Sequence, residues 1–238
     1  MSEELLRVDN ISKKFGGVSA LVDLSFTIKK GEILGLIGPN GAGKTTLFNC
    51  ITAILKPESG SIMFSGADVT KLPAYKVAAM GISRTFQIPR VMLDMTVLEN
   101  VIPAASLRHH DMNEVLSTAR KSLGFVGLEA RENMLAGTLN LSGKRMLEMA
   151  RALATEPRLL LIDEAAAGLT ESEVLDFNEK VKQITRSGIT VAIIDHVMKA
   201  ILPITSALIV LDHGVKIAQG SPDEVVKDEK VIEAYLGT

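Results

Sequence analysis

The sequence contains the run Gly38-Pro39-Asn40-Gly41-Ala42-Gly43-Lys44-Thr45, which fits the pattern G-x-x-x-x-G-K-T. The apolar residues at 33–37 come directly before it and predict a short buried strand. The residues at 46–55 come after it and have apolar positions at helical spacing. A strand, a glycine-rich loop and a helix in this order predict a phosphate-binding loop.

The chemistry of this loop predicts a bound nucleoside triphosphate with Mg²⁺. Glycines allow the main chain to approach closely, so that successive N–H groups can surround a phosphate at the positive end of a helix. Lys44 is expected to neutralise phosphate oxygens, and the Thr45 hydroxyl is expected to bind Mg²⁺. The residues expected to hold the nucleotide are Gly38, Pro39, Asn40, Gly41, Ala42, Gly43, Lys44, Thr45 and Thr46.

Composition narrows the class of protein. The 238 residues suffice for one large domain, and 47% hydrophobic residues are ordinary for a packed core. A net charge of −2 provides no electrostatic basis for nucleic-acid binding. Cys50 is the one cysteine, so we expect a small buried thiol in a reducing compartment.

No segment of the sequence predicts export or membrane insertion. The first four residues include two glutamates and do not resemble a signal peptide. The most apolar late window, at 200–211, is too short to span a bilayer. We therefore expect a soluble chain whose membrane role, if any, comes through a partner.

The predicted elements change character along the chain. Residues 5–65 are strand-rich, residues 94–155 are helical, and residues 157–220 alternate strand and helix before a helical tail at 222–236. Thr96 followed by Glu99 predicts a capping box at the start of the helical stretch. The alternation near the end predicts a parallel sheet covered by helices.

Two carboxylates follow a predicted buried strand. Leu159–Ile162 is apolar and leads directly into Asp163 and Glu164. Parallel sheets place ligands at the carboxyl ends of their strands. We therefore expect Asp163 to hold Mg²⁺, and Glu164 to polarise the water that attacks the γ-phosphate.

The order of these motifs resembles that of ABC transporter ATPases over nearly the whole chain. The motifs are the phosphate loop, Gln87 after the apolar strand at 82–86, Leu141-Ser142-Gly143, Asp163-Glu164 and His196. The resemblance implies an α/β P-loop NTPase core with a mixed sheet, an N-terminal antiparallel β subdomain and an inserted α-helical subdomain. The chain would be a single domain, 1–238, with its core and β subdomain at about 1–93 and 156–238. The helical signature subdomain would lie at about 94–155.

The resemblance also implies roles for further residues. Phe15 would stack on adenine. Gln87 would bind Mg²⁺ as a metal ligand and would also respond to the transmembrane partner. His196 would contact the γ-phosphate as part of the catalytic site. Ser142 and Gly143 would reach the nucleotide bound by a second ATPase subunit.

Finer details are similar to the ATP-binding subunits of branched-chain amino acid importers. These details are Asn10–Gly17, Leu47–Cys50, Arg84–Gln87, Ala166–Leu169 and Glu233–Gly237. This branch implies transmembrane permease partners, a second ATPase subunit as homodimer or paralogue, an indirect solute-binding protein, and a peripheral position on the cytoplasmic face of the membrane. Lipopolysaccharide-export ATPases share the Asp195-His196 pair and the Tyr235-Leu236-Gly237 ending, and are the alternative within transporters.

The signature segment departs from the family pattern L-S-x-G-Q. Leu141-Ser142-Gly143 runs directly into the helix and is two residues shorter than the pattern. We therefore expect near-normal ATP binding with weak dimerisation and slow hydrolysis. The shortened segment also keeps open a non-hydrolysing regulatory subunit. A soluble ABC ATPase acting on ribosomes or DNA repair complexes is the other alternative, although two fused cassettes or long coiled-coil insertions are absent.

Overall fold

A computed structural model describes residues 3–164, 168–195 and 201–236. The strands are β1 (Glu4–Phe15), β2 (Val18–Lys29), β3 (Ile33–Ile37), β4 (Ser59–Phe64), β5 (Ala67–Asp68), β6 (Ile82–Arg84), β7 (Leu159–Asp163), β8 (Thr190–Ile194), β9 (Ala207–Asp212) and β10 (Val215–Gly220). The helices described here are α1 (Lys44–Ile51), α2 (Ala74–Ala79), α3 (Val97–Ala105), α4 (Met112–Val126), α5 (Leu141–Ala154) and α6 (Glu171–Arg186), with short helices at Pro222–Val225 and Glu229–Leu236.

A six-stranded mixed sheet forms the centre of the molecule. Its order is β10-β9-β3-β8-β7-β6, with β10 antiparallel to β9 and the other neighbours parallel. Alternate residues of β3 enter two different cores, Leu34 and Leu36 on one face and Ile33 and Ile37 on the other. Because both faces are covered, β3, β7 and β8 are buried along their whole length, which explains their unbroken apolar runs.

Each face of the central sheet has its own cover. On one face lie α1 and an antiparallel sheet of order β2-β1-β4-β5. On the other face lie α3, α4, α5 and α6. Residues that join the first core include Leu6, Val8, Phe48 and Leu161, and residues that join the second include Val101, Leu123, Leu147, Ile162 and Val181. The predicted fold class, a mixed α/β sheet with an antiparallel β part and a helical part, is confirmed.

Local signals account for most element boundaries. The predicted capping box is present, since Thr96 Oγ1 accepts from the Glu99 N–H and Glu99 Oε2 accepts from the Thr96 N–H. The predicted single tail helix is wrong, because the tail forms two short helices. Asp228 lies between them and its side chain accepts from the Lys230 N–H at 2.9 Å, which caps the second helix. No helix within the described ranges is long and apolar enough to cross a membrane.

The single cysteine offers a probe of how well α1 is packed. Cys50 lies on the buried side of α1, and burial raises the pKa of its thiol to about 11. Because the thiolate is the reactive form, native Cys50 should react with a disulfide reagent at pH 8 roughly a hundredfold more slowly than the unfolded chain. The measurement is the rate of thiol release with and without denaturant. Fast, stoichiometric labelling of the native chain would contradict the packing of α1.

Candidate functional site

The phosphate loop connects β3 to α1 and depends on glycine at two tight positions. Gly38 has a φ of 149°, and a Cβ there would lie 2.1 Å from the Leu211 carbonyl oxygen. Gly43 has a φ of 101°, and a Cβ there would lie 2.3 Å from the Ala20 carbonyl oxygen. Both conformations exclude side chains, so the loop can bring its main-chain N–H groups against a phosphate.

Lys44 is the charged centre of this loop. Its side chain is almost fully buried, and Nζ donates to the carbonyl oxygens of Gly38 at 2.7 Å and Pro39 at 2.8 Å. Burial lowers the pKa of Lys44, while the carboxylates of Glu164, Asp163 and Asp195 oppose that shift. The amine therefore sits beside a cleft of about 170 Å³ that is ready to accept an anion. The lining residues are Ala20, Asn40, Gly41, Ala42, Gly43, Lys44, Thr45, Thr46 and Glu164.

Glu164 follows β7 and is held in a strained conformation. Its φ is 46°, in the left-handed region, and its N–H donates to the Ile194 carbonyl oxygen at 2.8 Å. Gln87 Nε2 donates to Glu164 Oε2 at 2.6 Å, a contact that sequence reasoning did not predict. Strain of this kind costs roughly 1–3 kcal/mol and is concentrated at functional sites. The carboxylate thus lines the cleft of the phosphate loop and is oriented by Gln87, which lies in the loop that follows β6, residues 85–90, called the lid loop below.

Asp163 has one carboxylate oxygen to which no described residue donates a hydrogen bond. The residue is 1% exposed, and its Oδ2 accepts from Arg84 Nη2 at 2.6 Å. Its buried Oδ1 has no hydrogen-bond partner among the described residues. Burial raises the pKa of Asp163, and the Arg84 guanidinium works against that rise. A buried carboxylate oxygen with no donor indicates a site for a group that the protein does not itself supply.

The three predicted metal ligands share one cleft. Thr45, Gln87 and Asp163 line a space of about 320 Å³ next to the phosphate loop. A hydroxyl, an amide oxygen and a carboxylate are oxygen donors of the kind that Mg²⁺ prefers. The residues therefore fit a Mg²⁺ ion that accompanies a nucleotide.

Glu148 organises the lid loop and was missed by sequence reasoning. It lies on the buried face of α5, and its two carboxylate oxygens accept from the N–H groups of Phe86 at 3.0 Å and Arg90 at 2.9 Å. Burial raises the pKa of Glu148, while these main-chain bonds lower it. The signal in the sequence was an acidic residue between the apolar positions Leu147 and Met149 of the predicted helix. Helix α5 is therefore tied directly to the loop that carries Gln87.

The signature segment is not the loop that its motif predicts. The motif places Leu141-Ser142-Gly143 ahead of the helix, but α5 begins at Leu141 with Asn140 as its cap. Asn140 Oδ1 accepts from the Gly143 N–H at 2.8 Å, and Ser142 hydrogen-bonds to Glu173. Asparagine is as good a cap as serine, so the shortened segment lets Asn140 start the helix. Neither Ser142 nor Gly143 lines the phosphate-loop cleft of this chain.

Of two other predicted site residues, one lies apart from the phosphate-loop cleft and the other lies outside the described residues. Phe15 ends β1 and is 48% exposed, with Lys13 Nζ 5.6 Å from its ring centre. It is absent from the residues that line the phosphate-loop cleft. His196 lies outside the described residues.

The fold and this site define the class as a P-loop nucleotide-binding protein. Comparison with known proteins then identifies the family within that class. The profile of the ABC transporter family matches residues 21–167. The profile of the branched-chain amino acid ATP-binding cassette transporter matches residues 215–238. The chain belongs to the ABC transporter family as an ATP-binding cassette.

Full-length relatives agree with this placement. The chain is 35% identical to the high-affinity branched-chain amino acid transport ATP-binding protein BraF of Pseudomonas aeruginosa, over 100% of this chain and 99% of that protein. It is 36% identical to the probable branched-chain amino acid transport ATP-binding protein LivG of Methanocaldococcus jannaschii, over 98% of each. A crystal structure of an ABC transporter cassette in its ADP conformation matches with a TM-score of 0.90 and 33% identity over 100% of both chains.

Removal of the Lys44 amine tests the phosphate-loop assignment. Lys44→Ala should lower ATP affinity at least about tenfold, because a hydrogen bond to a charged group contributes about 1.5–3 kcal/mol. Isothermal titration calorimetry with Mg²⁺ and ATP measures the effect, and Lys71→Ala, at an exposed lysine, is the matched control. Unchanged affinity in the folded Lys44→Ala chain would contradict the assignment.

Proposed function

We propose that this chain is the ATP-hydrolysing subunit of an ABC transporter that imports branched-chain amino acids. Lys44 and Glu164 line the phosphate-loop cleft, Asp163 lines the neighbouring cleft, and both carboxylates act on the Lys44 amine; this arrangement is the observation that carries the proposal. The named relatives and the match over residues 215–238 support the importer branch over the lipopolysaccharide-export alternative.

In this proposal the phosphate loop binds ATP by exchanging internal contacts for phosphate contacts. Lys44 leaves the carbonyl oxygens of Gly38 and Pro39 and donates to β- and γ-phosphate oxygens. Thr45, Gln87 and Asp163 would hold Mg²⁺, which would supply positive charge to neutralise the phosphate oxygens. Phe15 stacks on adenine at the end of β1.

Glu164 is the general base of the proposed hydrolysis. Its carboxylate accepts a proton from the water whose oxygen attacks the γ-phosphorus, and ADP leaves with the electrons of the broken P–O bond. Gln87 orients the carboxylate, as its 2.6 Å hydrogen bond to Oε2 indicates. His196 is proposed to contact the γ-phosphate.

The proposed assembly contains a second ATPase subunit and transmembrane permease subunits. Ser142 and Gly143 lie outside the cleft of their own chain, and we assign them to the nucleotide bound by the second subunit. The pair of ATPase subunits would lie on the cytoplasmic face of the membrane, with a solute-binding protein acting through the permease. Closure of the pair on ATP would drive the permease, and hydrolysis would reset it.

Glu164→Gln tests the proposed base. The variant keeps an oxygen for the Gln87 contact, so ATP binding should persist. Loss of a positioned base should lower turnover by about 10²–10⁴-fold. Steady-state phosphate release measures this, with Glu171→Gln on the exposed start of α6 as the control. Turnover at the parent rate in Glu164→Gln would exclude Glu164 as the base.

The shortened signature predicts a slow enzyme that insertion can accelerate. The Gly143 N–H donates to Asn140 Oδ1, so it can reach a phosphate of the second subunit only by giving up this helix cap. Loss of one preorganised donor costs about 10²–10³-fold in other enzymes. Insertion of Gly-Gln between Gly143 and Lys144 should therefore raise ATPase turnover and ATP-dependent dimerisation, measured by phosphate release and light scattering.

An Ala-Ala insertion at the same point is the matched control, because it restores length without the glycine. Equal turnover in the parent chain and the Gly-Gln variant would show that the natural segment already supports hydrolysis. No turnover in either chain, with intact ATP binding, would favour the non-hydrolysing regulatory subunit.

A further inference from the structure

Arg84 is a buried cation at the edge of the nucleotide site. It ends β6, pairs in register with Leu161 of β7, and therefore lies beside the strand end that carries Asp163. Ile82, two residues earlier, faces the core that contains α1, and Arg84 points to the same side. Only 5% of the Arg84 side chain is exposed. A cation this buried requires partners that define its position.

The guanidinium joins two elements of the site through its two ends. Nη2 donates to Asp163 Oδ2 at 2.6 Å, and Nη1 donates to Asn49 Oδ1 of α1 at 2.5 Å. The guanidinium carbon lies 5.0 Å from the Phe86 ring centre and 5.8 Å from the Phe48 ring centre. The planar guanidinium of arginine can donate to two acceptors and stack on two rings at the same time, whereas a lysine ammonium provides only a point charge.

The Arg84 contact leaves Asp163 with one oxygen held and one oxygen available. Oδ2 accepts from Arg84, while Oδ1 is buried without a partner in the part of the chain that the structure describes. Asp163 lines the same cleft as Thr45 and Gln87. The held oxygen thus determines the direction in which the available oxygen points.

We propose that Arg84 is a positioning residue that orients Asp163, through its bonds to Asp163 Oδ2 and Asn49, so that Oδ1 is presented to the divalent cation bound with the nucleotide. The inference rests on the proposed function, in which Asp163 is a Mg²⁺ ligand. Phe86 connects Arg84 to the loop that carries Gln87. Its ring contacts the Arg84 guanidinium, and the Arg90 guanidinium carbon lies 4.3 Å from its ring centre. Gln87, the next residue, is the lid residue that reaches the same cleft.

A stabilising ion pair is the simpler explanation, and the two accounts predict different measurements. Replacement of a buried ion-pair partner lowers stability whatever the role of the pair. An orienting role requires a selective effect on the cation-dependent part of nucleotide binding. Outer-shell partners of metal ligands typically change metal affinity by about 10–100-fold when they are replaced.

The test is calorimetric titration of ADP, which is not hydrolysed, in EDTA and in excess Mg²⁺. Arg84→Lys keeps the charge and removes the fork. We expect ADP affinity in EDTA within about threefold of the parent, because the phosphate loop is intact. The enhancement of affinity by Mg²⁺ should fall by about 10–100-fold. Arg120→Lys is the matched control, since Arg120 pairs with Glu132 at an exposed position.

Asn49→Ala is the second variant and keeps the test decisive if Arg84→Lys folds poorly. It removes one anchor from a half-buried helix position and leaves the Arg84–Asp163 pair intact. We expect a smaller loss of the Mg²⁺ enhancement and an unfolding free energy close to that of the parent. A Mg²⁺ enhancement equal to that of the parent would contradict the positioning role.

The remaining outcomes separate this inference from the proposed function. A parent chain that binds no ADP contradicts the proposed function, and the inference fails with it. A parent that binds ADP without enhancement by Mg²⁺ contradicts Asp163 as a ligand, and so the role of Arg84, while nucleotide binding stands. A lower unfolding free energy in Arg84→Lys with an unchanged Mg²⁺ enhancement assigns Arg84 to stability alone.

Discussion

Burial of opposite charges at the carboxyl ends of three adjacent parallel strands is the constraint on which the rest of the structure depends. Lys44 lies beyond β3, Asp195 follows β8, and Asp163 with Glu164 ends β7. These residues are nearly inaccessible to water, so each charge needs a partner within the protein or a ligand. Parallel strands bring their ends to one edge, and the glycines of the phosphate loop let the main chain turn there without a clash. The site is therefore a consequence of the sheet.

Helix α5 connects this charged edge to the helical layer. Arg145 Nη1 donates to the Glu164 carbonyl oxygen at 3.2 Å, and Glu148 holds the main chain of the lid loop. The same helix begins at the signature segment, where Asn140 and Ser142 lie. A displacement of α5 would thus alter both the lid and the strained residue Glu164. In the proposed dimer, this connection would link the signature segment to the Glu164 carboxylate.

Sequence patterns predicted the phosphate loop, the Asp163-Glu164 pair and the parallel sheet, because each depends on local residue types and on the spacing of apolar residues. The partners of Asp163 and the lid loop could not be predicted in this way. Periodicity indicates that Arg84 and Glu148 lie on apolar surfaces, but it does not identify the distant groups they contact. The start of α5 was placed too late because the motif assigns Leu141 and Ser142 to a loop, whereas Asn140 caps the helix before them.

A crystal structure of this chain with Mg²⁺ and ADP would test the central claim most directly. In the present structure Lys44 Nζ lies 2.7 Å from the Gly38 oxygen and 2.8 Å from the Pro39 oxygen. The account predicts that Nζ moves to hydrogen-bond distance of the β-phosphate, that loop N–H groups surround that phosphate, and that Asp163 Oδ1 faces the ion directly or through water. Nucleotide bound elsewhere, with Lys44 still on its own carbonyl oxygens, would contradict the account.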